Sequence, residues 1–143
     1  MIVWRIANEK YADLSGQGGL NGPGRWHTQG KPVVYTAEHP ALAMLEMRVH
    51  MNVSAALMAN YVLLKIDTGD LAVTDQAAIN AQTVDTQFLG DQWLLERKTP
   101  ALRVPSIIMP ESFNILLNPV HPDAAAIKLV EIRTFDLDRR LFI

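Results

Sequence analysis

Glu46 is the first residue in this chain whose surroundings point to chemistry. It lies in a stretch, residues 40–51, that opens on Pro40 and is rich in Ala, Leu and Met, the composition of a helix with proline in its first turn. Helical spacing sets Leu42, Ala43, Val49 and His50 beside it. A carboxylate among apolar neighbours has two uses. At the mouth of a cleft it serves as a base or stabilises a cation; at the periphery it pairs with Arg48 or His50. Arg25 closes a glycine-rich stretch just ahead of a strand. Glycines let backbone approach a ligand closely, and a guanidinium fork suits phosphate or carboxylate; the plainer alternative is a surface arginine stacked on Trp26. Tyr35 alternates with Val34 on a short strand, where it is either a core tyrosine with a satisfied hydroxyl or a ring offered to a ligand. Ser106 follows Pro105 between two apolar pieces and reads as a turn serine. No Gly-x-Ser-x-Gly elbow surrounds it, which argues against a hydrolase nucleophile. His27, His39, His50 and His121 show no metal-ligand spacing, so no metal site is expected.

The elements that must position these residues follow from pattern. Residues 2–6 read as a strand with Ile2, Trp4 and Ile6 on one side and Val3 and Arg5 on the other. Residues 7–31 read as irregular and hold six of the eight glycines. A loop that long in a compact domain is functional or disordered, and Arg25, Trp26 and His27 within it favour function. Gly16-Gln17-Gly18-Gly19 precedes no helix start, so no dinucleotide fingerprint is present. Strands are expected over 33–36, 60–67, 102–105, 107–109, 115–117 and 127–135. Beyond 40–51, helices are expected over 76–82 and 88–97. The Met and Leu side chains of 42–51 are core, and Asp136 to Arg140 form a solvated edge. Strands outnumber helices, which gives a mixed α+β domain.

Composition narrows the classes. The chain has 143 residues, 49% hydrophobic and 20% charged, which suits one folded domain and excludes intrinsic disorder. Lys and Arg number 13 against 15 Asp and Glu, a net charge of -2, which argues against a protein that coats nucleic acid. With no cysteine there is no disulfide framework, thiolate zinc site or cysteine nucleophile. No run reaches the length of a membrane span, and Met1-Ile2-Val3-Trp4-Arg5 lacks the form of a signal peptide; a cytoplasmic protein is expected. Asn52-Val53-Ser54 matches a glycosylation acceptor by chance. The apolar strands 60–66 and 127–132 could sit at an interface between copies.

Taken together, Gly24-Arg25-Trp26, Val34-Tyr35-Thr36, Ala43-Met44-Leu45-Glu46, Val104-Pro105-Ser106 and Asn118-Pro119-x-His121-Pro122 resemble the RES domain. The opening Val3-Trp4-Arg5 matches as well. The likeness spans residues 3 to about 133, and the chain is read as one RES domain over 1–143. The family is named for an arginine, a glutamate and a serine, here Arg25, Glu46 and Ser106. His27 departs from the asparagine that the family often carries there.

The resemblance implies a split, curved β-sheet core with small helices, similar in fold to ADP-ribosyltransferases. It also implies a bacterial toxin that consumes NAD as substrate, with no metal and no tightly bound cofactor. An antitoxin of the Xre helix-turn-helix type would cover the cleft, and a homodimer could form within that complex; neither nucleic acid nor membrane is a direct partner. Reported family chemistries are NAD hydrolysis, phosphorolysis and ADP-ribosyl transfer to protein, and a catalytically idle binding module is the remaining alternative. In that frame Glu46, Arg25 and Tyr35 are the catalytic candidates. Glu46 would stabilise an oxocarbenium-like ribose, as a carboxylate does in glycoside cleavage. Arg25 and Arg5 would grip phosphate oxygens, Tyr35 would stack on nicotinamide or its ribose, and Ser106 would hydrogen-bond phosphate or ribose.

Overall fold

The computed structural model describes residues 1–50 and 60–142. The glycosylation pattern at 52–54 and the last residue of the expected helix 40–51 lie outside them.

Seven strands form one sheet: β1 (Ile2–Asn8), β2 (Val34–Ala37), β3 (Tyr61–Asp67), β4 (Val73–Asp75), β5 (Ala101–Pro105), β6 (Phe113–Leu117) and β7 (Lys128–Phe135). Their order is β4-β5-β6-β2-β1-β3-β7, antiparallel throughout except for the parallel pair β4 and β5. Among the described residues the helices are short: α1 (Gln17–Asn21), α2 (Pro40–His50) and α3 (Thr86–Glu96), with 3-10 turns at 9–11, 122–126 and 139–142. This is the α+β architecture that the sequence predicts.

The sheet is split where β1 meets β2. All seven residues of β1 are in register with β3, from Ile2↔Asp67 to Asn8↔Tyr61, whereas β1 and β2 share the single pair Trp4↔Ala37. A half-sheet of four strands thus meets a half-sheet of three along a narrow seam. Alternation along the strands builds the core on both faces. Val3, Val34, Leu64, Ile66, Ile115 and Leu117 form one cluster. Trp26, Trp93, Leu94, Leu102, Val104 and Leu116 form a second, under α3. Trp4 and Ile6 pack with Leu42, Ala43 and Ala37 in a third, under α2, on the side of β1 that the period-2 pattern assigns.

Several expectations need correction. Residues 60–66 are not an interface strand: β3 is paired on both sides, with β1 and with β7, and Val62, Leu63, Leu64 and Ile66 are buried. Residues 76–82 form turns rather than a helix, because the side chains of Asp75 and Asn80 bond the backbone N–H groups of Ala77 and Gln82 and compete with helix formation. The strand on that segment is β4, just before it. Residues 107–109 form a bend, not a strand. A short helix, α1, does follow Gly16, whose left-handed backbone (φ 73°) starts the turn. Propensity argues against a helix containing two glycines; packing overrides it, since a Cβ on Gly19 would overlap the Lys31 carbonyl.

Candidate functional site

A cavity of about 610 Å³ opens beside the seam. That is within the usual range for small-molecule sites, roughly 300–1,000 Å³. Its walls come from both half-sheets, with Trp4, Arg5 and Ile6 of β1 facing Tyr35, Thr36 and Ala37 of β2. The loop Gly22–His27 forms one rim, and Glu46, Met47 and His50 of α2 form another.

Glu46 enters this cavity because α2 packs Leu42 and Ala43 onto the sheet, which leaves the next turn along the same face over the seam. Its Oε1 accepts two hydrogen bonds, from Ser106 Oγ at 2.7 Å and from Asn114 Nδ2 at 2.7 Å. Oε2 is left with His50 Nε2 at 4.0 Å. One oxygen is therefore saturated and the other, among the described residues, accepts no hydrogen bond, a geometry that fixes the carboxylate plane while leaving a charged acceptor for a ligand. The peripheral pairing with His50 is present, but it is long and the histidine is largely exposed.

Ser106 does not line the cavity. It is 1% exposed behind Glu46, and its Oγ also accepts from the backbone N–H groups of Ile108 and Met109, each at 3.2 Å. The turn role and the site role coincide: the hydroxyl caps the bend after β5 and donates its one proton to Glu46. Direct contact of Ser106 with phosphate or ribose, as the resemblance implies, does not fit a hydroxyl so placed and so fully engaged.

Tyr35 also has a committed hydroxyl. The Trp26 backbone N–H donates to its Oη at 3.1 Å, and His27 Nδ1 lies 2.7 Å away. His27 Nε2 sits 2.9 Å from the Gly22 carbonyl, which can only accept. Nε2 therefore carries the proton, Nδ1 is the acceptor, and Tyr35 donates to it. Burial raises the Tyr35 pKa to about 12. What Tyr35 offers the cavity is the ring. His27, 2% exposed, ties that ring to the glycine loop. The fit also requires Gly24, since a Cβ there would stand 2.6 Å from Tyr35 Oη.

Arg25 lies on the cavity rim, exposed, and among the described residues its guanidinium makes no hydrogen bond or ion pair. Its backbone is held instead. Thr86 Oγ1 donates to the Arg25 carbonyl at 2.6 Å, and Gln87 Nε2 donates to the carbonyls of Gly24 and His27. Asp91 accepts from Thr28 N at 2.9 Å and from Thr28 Oγ1 at 2.6 Å. Burial works against the Asp91 carboxylate, but the Thr28 bonds and the Lys31 charge outweigh it and hold its pKa below the ordinary value. α3 thus clamps the loop through its first two turns, close enough that a Cβ on Gly90 would overlap the Trp26 carbonyl. Stacking of Arg25 on Trp26 is not the arrangement found, since Trp26 is buried in the core under α3.

Arg5 lines the cavity too, but its Nη1 donates to the carbonyls of Tyr11 (2.9 Å) and Asp13 (2.8 Å). Burial lowers its pKa, with Asp13 opposing. It braces the loop after β1 as well as adding positive charge to the wall.

Four of the five predicted residues, Arg5, Arg25, Tyr35 and Glu46, therefore share one cavity, and the fifth stands directly behind Glu46. Sequence reasoning missed Asn114, whose signal was a lone amide at the start of the apolar run Ile115-Leu116-Leu117. It also missed the anchors Thr86, Gln87 and Asp91, which carried no signal apart from lying on a helix. Among the described residues no group of histidine and carboxylate side chains could hold a metal ion, and no helix is long and apolar enough to cross a membrane.

Known proteins share this arrangement of chain. A family model described as RES domain matches residues 2–138. A Pseudomonas putida protein named Toxin Res is 42% identical, with 99% of this chain and 100% of that protein covered. A Sphingobium protein named Prs ADP-ribosylating toxin is 40% identical, with 96% and 94% covered. In fold the chain is similar to one in the crystal structure of the Mycobacterium tuberculosis MbcT–MbcA toxin–antitoxin complex: TM-score 0.78 at 19% identity, covering 94% of this chain and 83% of that one. With a seven-stranded split sheet, the cavity at its seam and sequence kinship over nearly its whole length, this chain belongs to the RES domain family.

Proposed function

We propose that this chain is the toxin of a toxin–antitoxin pair and that it acts on NAD by breaking the bond between nicotinamide and ribose. The names of its relatives support the toxin role. The observation that carries the chemistry is Glu46: a carboxylate on the wall of a cavity of about 610 Å³, with one oxygen fixed by Ser106 and Asn114 and, among the described residues, only the long His50 pairing at 4.0 Å on the other.

In this reading the C1′–N bond breaks with its electron pair going to nicotinamide, which leaves neutral. Positive charge develops on the ribose, and an acceptor oxygen then bonds C1′ and loses its proton. Glu46 Oε2 accepts a ribose hydroxyl and stabilises that charge in a partly desolvated site, where a fixed charge is worth more than in water. Arg25, with no competing partner among the described residues, takes the pyrophosphate; Arg5 adds charge from the wall while bracing its loop. Tyr35 contributes its ring face and no proton. Ser106 and Asn114 aim the carboxylate.

Purified protein incubated with NAD is expected to release nicotinamide, and Glu46→Gln to stop it. No release from folded protein would overturn the proposal. Transfer to a protein is the second reading, favoured by the Sphingobium relative's name. With NAD labelled in its ADP-ribose half, label on protein supports transfer, and label on free ADP-ribose or its phosphate supports cleavage. An Xre-type helix-turn-helix antitoxin would occupy the open rim formed by Gly22–His27; expression without it is expected to arrest growth and lower cellular NAD.

A further inference from the structure

β7 ends the strand order. Seven of its eight residues pair with β3 on one side, Val130 being the bulged exception, and among the described residues no strand pairs with the other side. Val130 is 55% and Ile132 50% exposed. A strand edge of this length with exposed β-branched residues is a template for another strand, and its own sequence indicates which one.

Against an antiparallel copy of itself, with Ile132 on the two-fold axis, Glu131 stands opposite Arg133 of the second copy, and the reciprocal pair follows by symmetry. Beyond these pairs the bulge at Val130 breaks the register, so the match is carried by residues 131–133. Neighbouring registers fail. Centring on Glu131 or on Arg133 opposes like charges, and centring on Val130 places the axis on the bulged residue. The half-steps on either side of Ile132 place a charge against an apolar side chain.

The faces agree with the same register. Ile132 pairs with Leu64 within the chain and so shares the face of Leu64, which is fully buried in the core that Leu129 also borders. Ile132 is the half-exposed rim of that core, and a second Ile132 across the axis would continue it. The bulge between Lys65 and Ile66 leaves Val130 as the extra residue, so the central Ile132 and the two Glu131–Arg133 pairs are the deciding contacts. Arg133 now donates to its own Thr134 carbonyl at 3.1 Å and lies along the strand, within reach of a carboxylate arriving at the edge.

We infer that the free edge of β7 is the surface on which a second copy of this chain docks, by antiparallel pairing about Ile132.

Sedimentation velocity of the full chain over a concentration series tests this without reference to the cavity's chemistry; Glu46→Gln can be carried throughout so that the protein is tolerated during expression. The unchanged edge is expected to dimerise. Glu131→Arg opposes Arg with Arg twice, and Arg133→Glu opposes Glu with Glu twice, so each should weaken the dimer by at least about tenfold. The combined exchange Glu131→Arg/Arg133→Glu restores opposite charges and should recover most of the affinity. Ile132→Lys, which places two ammonium groups on the axis, should give a folded monomer. A monomer at every concentration overturns the inference. So does a dimer indifferent to all these changes, or a folded double exchange that stays as weak as the single variants.

Discussion

The Ser106 hydroxyl donates to Glu46 Oε1 at 2.7 Å, joining two residues 60 positions apart in the chain. It makes the serine a support for the carboxylate rather than a second ligand group, and this division of roles separates the expected outcomes.

Glu46→Gln keeps the size of the side chain, and its amide oxygen can still accept from Ser106 and Asn114. The negative charge is lost. Turnover is expected to fall by on the order of 10² or more, about 3 kcal/mol of transition-state stabilisation, while NAD affinity changes little. The checks are single-turnover nicotinamide release and a binding titration. A melting curve at or above that of the parent protein is also expected, since a half-buried charge has gone.

Ser106→Ala removes one bond to Glu46 and leaves the N–H groups of Ile108 and Met109 without their acceptor. Stability should drop by roughly 1–3 kcal/mol. Turnover should fall with the Michaelis constant for NAD nearly unchanged, because the hydroxyl does not face the cavity. A raised Michaelis constant with normal turnover would return Ser106 to the role of direct ligand.

Asn114→Ala should lower turnover by about tenfold through the same oxygen, a loss comparable with one charge-assisted hydrogen bond. In a Glu46→Gln background the same change should cost much less, since the charge it aims is absent. An equal cost in both backgrounds would mean that Asn114 acts independently of Glu46.

Arg25→Lys retains a charge but loses the planar fork. Because α3 holds the loop by its backbone, the fold should be intact and the effect should appear as weaker NAD binding. An unchanged Michaelis constant would remove Arg25 from the phosphate grip.

Tyr35 gives a pH dependence of stability. Its pKa is about 12 in the folded protein, above the ordinary value of 10.0. The folded state therefore keeps the phenolic proton over a range where the unfolded chain loses it. The associated stability is complete below pH 10 and declines as pH rises toward 12, by on the order of 2 kcal/mol. Tyr35→Phe should flatten that decline. It should also lower stability near neutrality, because the Trp26 N–H and His27 Nδ1 lose their partner. Melting curves at pH 8 and pH 11 on both proteins measure the difference.

The sequence made α2 legible because Pro40 and the Ala, Leu and Met run agree with each other, and rigid helical spacing set Glu46 beside Leu42 and Ala43, though it left open whether the carboxylate faced a cleft or the periphery. β1 was legible for the same kind of reason: its period-2 pattern puts Trp4 and Ile6 on one side, the side that the structure packs under α2. What decided the rest was long-range. No local signal aims the Ser106 hydroxyl at Glu46 rather than outward, and none tells an anchor such as Thr86 from any helix-starting threonine. α1 runs against its own propensity, since only the packing of Gly19 on the Lys31 segment makes a helix there worthwhile. The segment 76–82 erred the opposite way, where side-chain-to-backbone bonds of Asp75 and Asn80 won over a weak helical pattern.

The bonds that fix the site span most of the chain: Arg25 waits for Thr86, Thr28 for Asp91, and Glu46 for Ser106 and Asn114. A ribosome must therefore release more than the first 114 residues before any of these chains can carry an aimed carboxylate. Contacts of such large sequence separation also form slowly. A chain still short of residue 114 therefore has its glutamate in place on α2 but not both of the donors that orient it.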